Sequence, residues 1–154
     1  MPGLVRIDLA GVLPHVAGVC AAHPEVLAGY VFGSALGPMR PDSDIDVGVI
    51  LRSDTGRESS PWGCEGPLEE DLGWLGTHPH HVTVFNEAGA IFAVRALSES
   101  RLAYVADEAA LSDFIERVAL LHWQNAWRYW SAVAEVNGWD PRRIRGASPT
   151  GPDM

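Results

Sequence analysis

Two aspartates, Asp44 and Asp46, open an apolar run, and a nine-residue spacer separates them from the pair Gly33-Ser34. Alternate residues of an extended strand share a face, so both carboxylates project from the same side. Their repulsion calls for a cation. Hard cations such as Mg²⁺ take carboxylate oxygens, often only one or two, with substrate phosphates filling other positions. Gly33 can turn the chain with φ > 0 and lets a ligand approach the backbone closely. The N–H groups that follow it and the Ser34 hydroxyl can donate to phosphate oxygens. A phosphate cradle facing a paired-carboxylate site is what phosphoryl or nucleotidyl transfer requires.

Other residues with chemical capacity have plainer explanations. His78-Pro79-His80-His81 invites a metal assignment. Adjacent strand residues point to opposite faces, however, so His80 and His81 do not easily share one ion. Glu69, Glu70 and Asp71 read as a solvated helix face. Arg40, in the spacer, is either a surface arginine or one in reach of a phosphate, and Arg95 has the same two options. Cys20 and Cys64 sit in unlike contexts, too few and too far apart for a disulfide framework or a zinc site.

The elements that must position these groups follow from periodicity. Leu9, Val12, Leu13, Val16, Val19 and Cys20 recur at helical spacing within 7–23, with Asp8 as a cap and Pro14 as a start or kink. Residues 26–32 and 45–51 read as strands; in the second, Ile45, Val47, Val49 and Leu51 alternate with Asp46, Gly48 and Ile50. Residues 52–66, rich in Ser, Gly, Arg and Glu, predict a mobile loop. A short helix is predicted from Pro67 to Trp74, a third strand from His81 to Phe85, and helices over 87–97 and 109–136. Together these predict an α/β (α+β) domain over 1–139: a small mixed sheet of about three or four strands, helices packed on one face, and a long C-terminal helix. A tail is expected over 140–154. In the long helix Phe114, Val118 and Leu121 form one stripe, and Trp123, Trp127 and Trp130 a second, offset one. Both stripes pack internally, or the tryptophan face meets a second copy or a helical partner.

Composition narrows the function. The chain has 154 residues, 47% of them hydrophobic, and a mean hydropathy of +0.02, as expected for one globular domain. Its net charge is −9, with 20 acids against 11 bases, all of them arginine. Duplex nucleic acids are bound largely by neutralising phosphates, so such a chain is a poor non-specific nucleic-acid binder. No apolar run approaches the ~20 residues of a membrane span, and the N-terminus lacks the apolar stretch of a secretory signal. The expectation is a cytoplasmic protein.

Over Tyr30-Val31-Phe32-Gly33-Ser34 and Pro41-Asp42-Ser43-Asp44-Ile45-Asp46-Val47 the chain resembles the nucleotidyltransferase superfamily of DNA polymerase β type. It is most similar to the minimal nucleotidyltransferases (MNT), small proteins often paired with HEPN-domain proteins in toxin–antitoxin modules. Val82-Thr83-Val84-Phe85-Asn86-Glu87-Ala88 looks like the family's third strand and the turn after it. The resemblance implies that Gly33, Ser34 and Ser43 bind the nucleotide and that Asp44 and Asp46 hold Mg²⁺, with Mn²⁺ an alternative. It implies transfer of a nucleoside monophosphate, AMP being commonest in small members, from an NTP such as ATP to a hydroxyl, with a HEPN-type protein as acceptor or partner. The spacer is one residue shorter than is usual in small members. His81 stands where the family's third carboxylate belongs. Histidine ligates Mn²⁺ or Zn²⁺ better than Mg²⁺, can act as general base, or can be a solvent-facing strand residue. The alternative function is a catalytically silent antitoxin that acts by binding its partner. A small-molecule nucleotidyltransferase would usually carry a further acceptor domain, for which the chain leaves little room.

Overall fold

The computed structural model describes residues 3–52, 65–87 and 90–137, with 90, 91, 129, 130 and 133–137 described by backbone only. Helix α1 (Leu9–Ala21) starts where Asp8 accepts a hydrogen bond from the Ala10 N–H at 3.1 Å, satisfying one of the orphan donors of the first turn. Pro14 lies inside the helix, on its exposed side. Strands β1 (Val26–Phe32) and β2 (Ile45–Leu51) occupy the predicted residues and pair antiparallel, with Phe32 opposite Asp46.

Helix α2 (Glu65–Leu72) begins and ends two residues earlier than predicted. Gly73, at φ +66°, turns the chain out of the helix. Trp74 then belongs to a two-residue strand, β3 (Trp74–Leu75), which folds back through Gly76 onto β4 (His78–Val84). Strand β4 starts three residues before the predicted strand, because His78 and Pro79 pair with β3 before the parallel ladder with β2 begins at Ile45↔His80. Helix α3 (Ala90–Ser98) leads into β5 (Arg101–Val105), which was not anticipated and pairs antiparallel with β1. Helix α4 (Glu108–Asn137) completes the described chain. The sheet therefore has five strands, not three or four, in the order β3-β4-β2-β1-β5. The loop expected over 52–66 lies almost wholly outside the described residues, as does the tail from 140. Among the described residues no helix is long and apolar enough to cross a membrane.

Alternation along β2 divides two apolar layers. Ile45, Val47, Val49 and Leu51 pack with Val82 and Val84 against Val12, Val16 and Cys20 of α1 and Leu68 and Leu72 of α2. The i, i+4, i+8 spacing on α1 places its three residues on one face. The opposite face, bearing Ile50, Tyr30 and Phe85, carries α3 and α4 through Ala93, Ala96, Leu111, Phe114 and Val118. Helices thus cover the predicted face and the other one too. Each fully buried valine or leucine stabilises the fold by roughly 1.5–3 kcal/mol. Gly48 has no side chain because the Phe85 ring occupies that space.

Candidate functional site

The chain reverses at the end of β1 through Gly33, whose φ of +75° is in the left-handed region that glycine enters without penalty. Residues Gly33–Leu36 form a 3₁₀ turn, and Ser34 is exposed on it. A Cβ at Gly33 would strike the carboxylate of Asp46. The Gly33–Ser34 bend and Asp46 are therefore in direct contact. The cause is register: Phe32 pairs with Asp46, so the residue after Phe32 must pass beside that carboxylate. On the other side of β2, His81 is the parallel register partner of Asp46. Asp44 is exposed just before β2 and lies near enough to Asp46 to influence its ionisation.

The electrostatics follow. Asp46 is half-buried, and desolvation pushes its carboxyl above the usual range; the His81 ring opposes the rise and the Asp44 charge adds to it. Burial of one carboxylate beside another opposes folding unless a cation is shared. Two carboxylate oxygen donors, with room left for phosphate oxygens, fit a Mg²⁺ ion. Among the described residues no group of three or more His, Cys, Asp or Glu side chains is arranged to hold a metal.

The spacer that delivers Asp44 is fastened at three points. Val5 and Met39 exchange backbone hydrogen bonds of 2.8 Å, and Met39 is buried. The Thr77 hydroxyl donates to the Pro41 carbonyl. His78 Nδ1 donates to the Ser43 carbonyl at 2.8 Å. Ser43 is half-buried, so its main chain is held from β4 directly beside Asp44. Thr77 and His78 are positioning residues that sequence reasoning missed. The histidine tract drew notice as possible metal ligands, but nothing in it signalled a bond to a residue 35 positions away.

The other singled-out residues fall as follows. His78 and His80 are buried on the α1–α2 side, whereas His81 is exposed on the opposite face beside Asp46. Arg40 is exposed and pairs with Asp42 at 3.1 Å; hydrogen bonding to that guanidinium, then its charge, hold the Asp42 carboxyl below its usual range. Arg95 is exposed on α3. Asp71 meets His23 Nε2 at 2.6 Å, joining α2 to the turn before β1. Asn86 closes the end of β2: its side chain accepts from the Leu51 N–H at 2.7 Å and donates to the Leu51 carbonyl at 3.0 Å. Of the first α4 stripe, Phe114 and Val118 are buried, but Leu121 is 50% exposed. Of the second, Trp123 is 42% exposed and Trp127 half-buried, while Trp130 is among the residues described by backbone only.

No known family and no curated protein matches this chain by sequence. Solved structures do match in fold. A chain of the crystal structure of the toxin–antitoxin MntA–HepT superposes with a TM-score of 0.59 at 11% identity, covering 82% of this chain and 97% of that one. A toxin–antitoxin structure with AMP-PNP gives 0.58 at 14%, covering 80% and 97%. A structure of tri-AMPylated Shewanella oneidensis HEPN toxin in complex with MNT antitoxin gives 0.59 at 13%, covering 84% and 98%. Over most of its length, therefore, this chain has the nucleotidyltransferase-like fold found in MNT–HEPN toxin–antitoxin complexes, matching in architecture the family that its Gly-Ser and Asp-x-Asp residues resemble.

Proposed function

We propose that this chain is an antitoxin of the minimal nucleotidyltransferase type, which binds a nucleoside triphosphate and transfers its nucleoside monophosphate to a hydroxyl of a HEPN-type partner. The contact between Gly33 and the Asp46 carboxylate, with Asp44 beside it, carries the reading: a bend suited to receiving phosphate lies against a carboxylate pair. The AMP-PNP bound in one structural neighbour and the AMPylated toxin in another favour ATP as donor.

In the transfer the acceptor oxygen bonds to the α-phosphorus, the bond to pyrophosphate breaks, and the hydroxyl proton goes to a base. Ser34 and the backbone after Gly33 orient the phosphates. Asp44 and Asp46 would hold Mg²⁺ or Mn²⁺, which when bound offsets the charge of the phosphates and the leaving pyrophosphate. His81, in register with Asp46, is the candidate acceptor for the proton. Incubation with a HEPN-type protein, radiolabelled ATP and Mg²⁺ or Mn²⁺ tests this. Label should pass to the partner, and Asp44→Asn should lower the rate on the order of 10²-fold or more. Transfer unaffected by that substitution would overturn the assignment.

One observation favours a second reading. His81 stands where the resemblance calls for a carboxylate, so on that resemblance the site has one hard oxygen ligand fewer than the family pattern. On that reading the chain neutralises its partner by binding alone. No label would then pass, and the complex would persist with Asp44→Asn.

A further inference from the structure

On the face of the sheet away from Asp46, α1 and the β3–β4 turn enclose a cavity of about 320 Å³ lined by Asp8, Val12, His15, Leu72, Trp74 and His80 among others. That is within the range of small-molecule pockets. Its walls are mainly apolar, and Trp74 stands at the edge with 69% of its surface exposed.

His80 is the informative member. Only 5% of its surface is exposed. Its Nδ1 lies 2.8 Å from the Gly73 carbonyl, which can only accept, so the proton is on Nδ1. Burial lowers the basicity of the ring and keeps it neutral. Nε2 is then a bare acceptor, and among the described residues nothing donates to it. A buried acceptor left unsatisfied opposes folding, so its presence among the residues lining a cavity calls for a donor. The neighbouring His15 is committed elsewhere, donating from Nε2 to the Leu72 carbonyl at 2.8 Å. Nε2 is itself buried, and the exposed His15 and Trp74 side chains line the same cavity. Binding to it requires these two side chains to move aside.

We propose that this cavity is a binding site for a small, flat, mostly apolar molecule with one N–H or O–H donor, which stacks on Trp74 and donates to His80 Nε2. Asp8, at the rim and using only one oxygen to cap α1, biases the site toward neutral or cationic ligands. The site is independent of the proposed nucleotide chemistry, because His80 and His81 point to opposite faces of β4.

Titration of the full-length chain with indole, followed by two-dimensional NMR, tests the proposal. Indole should shift the Asp8, His15, Trp74 and His80 resonances. Benzofuran, the same shape without the donor, should bind about tenfold more weakly, and indole-3-acetate more weakly than tryptamine. Trp74→Ala, at an exposed position, should weaken indole binding without affecting the fold; His80→Phe should remove the preference for indole over benzofuran. No shift at these residues with millimolar indole, equal binding of benzofuran, or binding unchanged by Trp74→Ala would each overturn it.

Discussion

At the scale of single residues, the site rests on Gly33 and Asp46 sharing one small space. Any larger residue at Gly33 meets both an unfavourable φ and the Asp46 carboxylate. Asp46 also carries a stability cost. A carboxyl raised in the folded state holds its proton more readily there than in the unfolded chain. Its contribution to folding is fully present below the unfolded value of about 3.9 and is lost as pH rises through the raised folded value. Without nucleotide or divalent ion, Asp46→Asn should therefore be more stable than the parent in urea at pH 7, and the advantage should shrink as pH falls toward about 4. Equal stability at pH 7 would contradict the burial of this charge. On the proposed function the same variant should also be inactive in transfer, so that the residue would oppose stability while serving function.

At the scale of elements, legibility in the sequence followed the strength of local pattern. Asp8 as cap, β1 and β2 were all readable, because an apolar period and a polar cap are local properties. Strand β5 was missed: Arg101 and Leu102 are exposed on a sheet edge, so the segment lacks the alternation of a half-buried strand. The end of α2 was misplaced because Trp74 looks like a helix residue until Gly73 turns the chain. The aspartates' common face was a matter of counting; the contact of Asp46 with Gly33 needed the Phe32↔Asp46 register, which no local pattern encodes. The fit of Gly48 under Phe85 is equally non-local and can be measured. Gly48→Ala should destabilise the protein by about 1–3 kcal/mol through overpacking. Adding Phe85→Leu should recover part of that loss, a coupling visible in a double-mutant cycle by urea denaturation. Strict additivity would show that the ring does not occupy the space above Gly48.

At the scale of the molecule, the 30-residue α4 is about 45 Å long, whereas a seven-residue strand spans only about 23 Å. The sheet can bury only part of such a helix. Leu111, Phe114 and Val118 are covered, while Leu120 and Trp123 remain 60% and 42% exposed. On the proposed function this overhang would be the surface offered to a HEPN-type partner. Leu120→Glu with Trp123→Glu should leave stability within about 0.5 kcal/mol per site but weaken the complex about tenfold or more, as measured by calorimetric titration; an unchanged affinity would move the interface elsewhere. The net charge of −9 argues against nucleic acid as the alternative occupant. The central claim is that the bend at Gly33 and the aspartate pair form one nucleotide site. A crystal grown with AMP-PNP and Mn²⁺, with the ion located by its anomalous scattering, tests this most directly. The account predicts an ion coordinated by both Asp44 and Asp46, with phosphate oxygens on the backbone after Gly33 and on Ser34; nucleotide bound away from that bend, or an ion touching neither aspartate, would contradict it.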